Sequence, residues 1–130
     1  MRKFVGILLL TVIFLTACGK TNAAKGEAVY VNITAAEAKE IMDRETDYII
    51  LDVRTQAEYA EGHIPGAVLI PHMELAQRAA QELPDKDRLL LVYCRSGRRS
   101  KQAAEVLVEL GYTNIMEFGG IIDWPYEVEK

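Results

Sequence analysis

The chain has 130 residues, half of them hydrophobic, and carries 15 Lys and Arg against 19 Asp and Glu for a formal charge of −4. This length holds one domain, and the acidic balance argues against a nucleic-acid-binding role, which calls for a basic face.

The chain opens with Arg2 and Lys3 before an uncharged run, Phe4 to Ala17. That run is shorter than the roughly 18 apolar residues a membrane span needs. Basic start, short apolar stretch and small residues form the layout of a secretory signal, so residues 1–17 are expected to be removed. The run ends in Leu15-Thr16-Ala17-Cys18, which resembles the lipobox of bacterial lipoproteins. The resemblance implies that Cys18 is acylated, becomes the new N-terminus and tethers an exported domain to a membrane surface of the cell envelope. The alternative is an ordinary cut near Ala17 or Ala24, with Cys18 incidental. Gly19, in place of an acidic residue, is similar to the outer-membrane sorting pattern. Cleavage takes away Arg2 and Lys3 and no acidic residue, leaving 13 basic residues against 19 acidic ones. Residues 18–28, small and polar, read as a flexible spacer, and 29–130 as the domain.

Strands and helices then alternate. Val29 to Ile33 reads as a short strand, and Thr34 with Glu37 makes a capping box for a helix that places Ala38, Ile41 and Met42 on one face. Tyr48 to Leu51 is a continuous apolar run, as expected of a strand buried on both sides of a parallel sheet. Thr55 and Glu58 form a second capping box over a short helical turn that Gly62 ends. Ala67 to Ile70 is another strand, and Ala76, Ala79, Ala80 and Leu83 recur at helical spacing until Pro84. Leu89 to Tyr93 is the most hydrophobic strand. From Ser100 the chain is expected to be helical, with Ala103, Val106, Leu107 and Leu110 on one face and Gly111 terminating it. Asn114 to Glu117 gives a last strand. The pattern predicts a three-layer α/β domain with a mainly parallel five-stranded sheet and helices on both faces, whose ligands bind beyond the strand C-termini.

Once Cys18 is lipidated, Cys94 has no partner. Exported domains normally pair their thiols, so an unpaired one is flagged as reactive, against the plainer reading of a small buried hydrophobe. Its context is Leu89-Leu-Leu-Val-Tyr-Cys94-Arg-Ser-Gly-Arg-Arg99-Ser100: a buried strand, a tight loop, then a helix. Backbone amides of such a loop and of the helix's first turn converge on an anion. The helix N-terminus and the field of Arg95, Arg98 and Arg99 both favour a thiolate at Cys94, and Gly97 serves the loop's backbone geometry.

Cys94-Arg-Ser-Gly-Arg-Arg-Ser100 resembles the active-site loop of rhodaneses. Leu51-Asp-Val-Arg54, Glu58-Tyr59 and Gly62-His-Ile-Pro-Gly-Ala67 resemble two further signatures of that family, and Gly119-Gly120 followed by Trp124 its closing motif. The resemblance runs from about Asn32 to Tyr126. It implies the rhodanese fold and a sulfurtransferase whose catalytic residue is Cys94, with Arg95, Ser96, Gly97, Arg98 and Arg99 binding a small anionic sulfur donor such as thiosulfate. The acceptor is cyanide, a thiol or a protein, and no metal or organic cofactor is implied. Asp52 is a possible pocket residue, with a structural pairing to Arg54 or a loop amide as the plainer expectation. His63 is read as structural, and His72 receives no role. Two other readings share the residues: a persulfide carrier or protein-interaction module of the same family, and an arsenate reductase or phosphatase on the same fold. The latter resembles this pattern with one more residue between Cys and Arg.

Overall fold

The structure, a computed structural model, describes residues 29–130. The expected signal segment, Cys18 and the spacer lie outside the described residues. Among the described residues there are five strands, β1 (Val31–Asn32), β2 (Tyr48–Asp52), β3 (Val68–Leu69), β4 (Leu89–Cys94) and β5 (Ile115–Gly120). They form one sheet in the order β1-β5-β4-β2-β3, every neighbouring pair parallel. The expected parallel α/β sheet is what the chain forms.

Position in the sheet explains strand length and composition. Strand β4 lies at the centre, and Leu90 to Cys94 are buried, which is why its sequence is an unbroken apolar run. The edge strands β1 and β3 shrink to two residues, against the longer runs expected from sequence. Each has a pairing partner on one side only, and Val31 and Val68 stand exposed.

Helices cover both faces. Ala38, Ile41 and Met42 of α1 (Ala35–Arg44) pack with Tyr59 of α2 (Gln56–Glu61) over Ile50, Leu91, Tyr93 and Phe118. On the opposite face α3 (Leu75–Glu82) and α4 (Arg98–Glu109) pack on Leu51, Leu90, Val92 and Ile115. Alternation along each strand feeds the two cores in turn. Both expected capping boxes form: Thr34 with Glu37, and Thr55 with Glu58, each Thr hydroxyl accepting the Glu amide while the Glu carboxylate accepts the Thr amide.

Two helices depart from the sequence reading. The buried face of α3 is Leu75, Ala79 and Leu83, while Ala76 and Ala80 are exposed. The larger leucine at 75 takes the core position, and the i, i+4 spacing carries the face onward from it. Helix α4 begins at Arg98, two residues before Ser100, because Gly97 adopts φ 101° and turns the chain directly into the helix. At its other end Gly111 takes φ 92°, with its amide on the Val108 carbonyl and the Tyr112 amide on the Leu107 carbonyl, a Schellman ending.

The end of β2 carries a buried polar network. Asp52 accepts bonds from Arg54 Nε and Nη2, from the Arg54 amide and from the Tyr93 hydroxyl at 2.6 Å. Arg54 Nη2 reaches on to the Gly62 carbonyl at 2.7 Å, and the Tyr93 hydroxyl accepts the Ile64 amide. The network ties β2 and β4 to the turn after α2. Burial, reinforced by the bond to Asp52, pushes the Tyr93 phenol up, so it remains a donor. Arg54→Met leaves the Asp52 carboxylate buried without its cation. It is expected to cost about 3–5 kcal/mol of folding stability, measured by urea unfolding.

Candidate active site

Strand β4 delivers Cys94 to the C-terminal edge of the sheet, 1% exposed. The loop Arg95-Ser96-Gly97 turns back over it, and the Gly97 amide donates to Cys94 Sγ at 3.0 Å. An N–H aimed at sulfur favours negative charge there, and the sulfur lies at the start of α4, whose first amides have no acceptor within the helix.

A register shift between β4 and β5 makes room for this loop. Val92 pairs with Glu117, yet Cys94 pairs with Gly120, so β5 spends one extra residue, as in a β-bulge. Gly119 takes φ 85° in that bulge. At Gly120 an added Cβ would stand 1.8 Å from the Arg95 carbonyl oxygen and 2.4 Å from the Ser96 amide nitrogen. Only glycine admits the loop backbone there. The Arg95 carbonyl then accepts the Ile122 amide at 3.2 Å, which fastens the loop to the 3₁₀ turn Ile121–Asp123.

The sequence-predicted site residues separate into three groups. Cys94 and Gly97 meet directly through the bond just described. Arg95, Ser96 and Arg98 are exposed around the sulfur's loop, and neither Arg95 nor Arg98 has an acidic partner among the described residues. Arg99 is committed elsewhere: its two terminal nitrogens clasp Glu58 of α2 at 2.6 and 2.8 Å. This fork geometry anchors the first turn of α4 to α2. Hydrogen bonds from Arg99 hold the Glu58 carboxyl at about 2. Asp52 is fully buried, with its oxygens taken up by Arg54 and Tyr93. His63 stacks on Tyr59 with ring centroids 3.7 Å apart, bonds the Tyr59 carbonyl through Nδ1, and bridges to Glu129.

Two residues with no assigned role in the sequence reading touch the site. Ser100 Oγ lies 3.4 Å from Cys94 Sγ, which donates to it, and 2.5 Å from Glu117 Oε1. Glu117, 2% exposed, comes from β5 and also accepts the Gly119 amide at 2.9 Å. The available signal for Glu117 is a carboxylate inside the otherwise apolar strand Ile115-Met-Glu-Phe. For Ser100 it is a small hydroxyl one helical turn beyond Gly97.

A family model described as rhodanese-like domain matches residues 34–125. The chain belongs to the rhodanese family. It is 44% identical over 73 residues to the thiosulfate sulfurtransferase PspE of Escherichia coli, spanning 56% of this chain and 70% of that one. It is 36% identical over 98 residues to the thiosulfate sulfurtransferase GlpE of Coxiella burnetii, spanning 74% of this chain and 88% of the relative. A solved structure described as rhodanese with anions from E. coli matches with a TM-score of 0.60 at 40% identity, over 64% of this chain and 98% of the other. The rhodanese fold and sulfurtransferase character follow from these matches, and the β5 bulge with its two glycines is the part of this rhodanese that shapes the loop around Cys94.

The Glu58–Arg99 pair has a pH signature. Its carboxyl is lowered to about 2 in the folded chain against the ordinary 4.5, so the pair stabilises fully above pH ~4.5 and that contribution is lost as pH falls toward 2. Glu58→Gln is expected to lower stability at neutral pH and to flatten its dependence between those values, measured by urea unfolding across that range.

Proposed function

We propose that this rhodanese moves sulfane sulfur from thiosulfate, or a donor of the same shape and charge, to a thiophilic acceptor through a persulfide on Cys94. The Cys94 thiolate attacks the outer sulfur; the S–S bond of thiosulfate breaks and sulfite leaves with the bonding pair. The enzyme is left as the persulfide anion, with charge conserved. Cyanide, a small thiol or an acceptor protein then takes the terminal sulfur and returns the thiolate. Covalent catalysis of this kind divides one difficult transfer into two. The observation that carries the reading is the Gly97 amide aimed at Cys94 Sγ, at the mouth of a loop flanked by Arg95 and Arg98. Those cations suit an anionic donor, and the first amides of α4 suit the charge that develops on the transferred sulfur. Ser96 and Gly97 serve through their backbone, and Arg99 supports the loop by holding α2.

The full-length chain with Cys18→Ser keeps Cys94 as its one thiol. Incubated with thiosulfate, it is expected to gain the mass of one sulfur atom, a gain abolished by adding Cys94→Ser. An unchanged mass in the reduced protein sinks the thiosulfate reading and directs assays to arsenate and phosphate esters.

We also propose that the chain is exported and held at a cell-envelope membrane by lipid on Cys18. The support is the sequence of residues 1–18. Labelled fatty acid is expected to enter the wild-type chain in a bacterial host and to be absent from Cys18→Ser; equal labelling of both rejects the assignment.

A further inference from the structure

Glu117 is a buried carboxyl that the sulfur-transfer steps above leave unused, and it is joined to the nucleophile by two hydrogen bonds. Cys94 Sγ donates to Ser100 Oγ at 3.4 Å, and Ser100 Oγ donates to Glu117 Oε1 at 2.5 Å. The same hydroxyl oxygen lies 3.0 Å from the Gly97 carbonyl and 3.3 Å from the Gly119 carbonyl, so the acceptors around it outnumber its one proton. No cationic side chain is paired with Glu117 among the described residues.

This arrangement restricts where protons reside. With Glu117 ionised, the serine proton points at Oε1 and the serine oxygen receives the thiol proton. Once Cys94 loses its proton, the sulfur can draw the serine hydroxyl as a second donor beside the Gly97 amide. Turning that hydroxyl toward sulfur strips Glu117 of its short bond and leaves two anions facing one buried hydroxyl. A proton on Glu117 removes the conflict, since the acid donates to Ser100 Oγ while Ser100 donates to sulfur. The two arrangements, S–H···O–H···carboxylate and thiolate···H–O···H–O of a carboxylic acid, differ by a shift of two protons along the chain. No proton is exchanged with water.

We propose that Glu117 is a positioning residue for Cys94 ionisation, taking the thiol proton through the Ser100 hydroxyl. The inference rests on the reading of Cys94 as the sulfur nucleophile. It gives this rhodanese a thiolate whose proton is stored inside the fold, and it removes a negative charge from the wall of a loop that must admit an anionic donor.

Around these three residues stand Arg95 in the loop, Arg98 on α4, the Arg99–Glu58 pair between α4 and α2, the Asp52–Arg54 pair at the end of β2, and His72 on the 3₁₀ turn His72–Glu74 packed against α4. The arginines keep their charge at working pH. Histidine ordinarily titrates near neutrality, so a His72→Gln background is the control.

The test is the rate at which iodoacetamide alkylates Cys94 from about pH 5 to about pH 10. It uses the full-length chain carrying Cys18→Ser. The reagent is neutral and requires no sulfur donor. A proton shared between two groups gives a rate that rises in two steps separated by a plateau, the first as the pair falls to one proton and the second as it falls to none. Glu117→Gln keeps an acceptor for Ser100 and Gly119 but takes up no proton, so its profile is expected to be a single step without the plateau. Ser100→Ala retains the carboxylate but removes the hydroxyl that bonds both the thiolate and the protonated acid, so only the upper step is expected to remain. A single-step profile in the wild type overturns the proposal, as does a two-step profile that survives either substitution. Two steps without persulfide from thiosulfate keep the relay and overturn the donor assignment; persulfide with one step does the reverse.

Discussion

The site depends on one close backbone approach. The loop after Cys94 lies against β5 at Gly120, where even a methyl group would collide with the Arg95 carbonyl. That contact exists because β5 bulges by one residue and brings Gly120 opposite Cys94. From it follow the turn at Gly97, the start of α4 at Arg98 and the amide aimed at sulfur. A longer side chain at 120 would push the loop away from β5 and take the Gly97 amide with it. The Gly-Gly pair is therefore part of the geometry around Cys94, although it lies 25 and 26 residues further along the sequence.

The ion pairs near the site divide by burial. Asp52 and Arg54 are sealed inside, where an unpaired charge is costly, and every oxygen of Asp52 is bonded. Glu58 and Arg99 are about a quarter exposed, and water weakens such a pair. Their value is positional: they pin α4's first turn to α2 with a two-pronged contact. Arg95 and Arg98, by contrast, have no acidic partner among the described residues, a difference among three neighbouring arginines that identical residue types conceal in the sequence.

The sequence was most informative where a local rule acts alone. Continuous apolar runs announced β2 and β4 because burial on both faces requires them, and Thr-x-x-Glu announced two helix starts because both bonds of a capping box are local. Cys94 stood out by its placement between a buried strand and a basic loop. Where fold and sequence pattern differ, tertiary choices decide. Which of the spaced alanines of α3 faces the core is decided by Leu75, and whether α4 starts at Arg98 or Ser100 is decided by a positive φ at Gly97. The partner of Arg99 was unreadable for the same reason, since Glu58 already had a sufficient local role as a capping residue and its second role needs the sheet to bring α2 and α4 together.

Glu117 is the sharpest instance of a residue whose meaning only the fold supplies. On β5 it occupies the same face as Ile115, toward α4, where an apolar side chain would complete the core cheaply. A carboxyl there must be answered by donors, and the structure offers two, the Gly119 amide and the Ser100 hydroxyl. The first is fixed in the bulge and would satisfy a purely structural acceptor. The second can turn, and its other neighbour is the Cys94 sulfur. The bulge that admits the loop after Cys94 thus also brings a carboxyl within two hydrogen bonds of the thiol, so backbone register and the hydrogen bonding around Cys94 are set by the same few residues of β5.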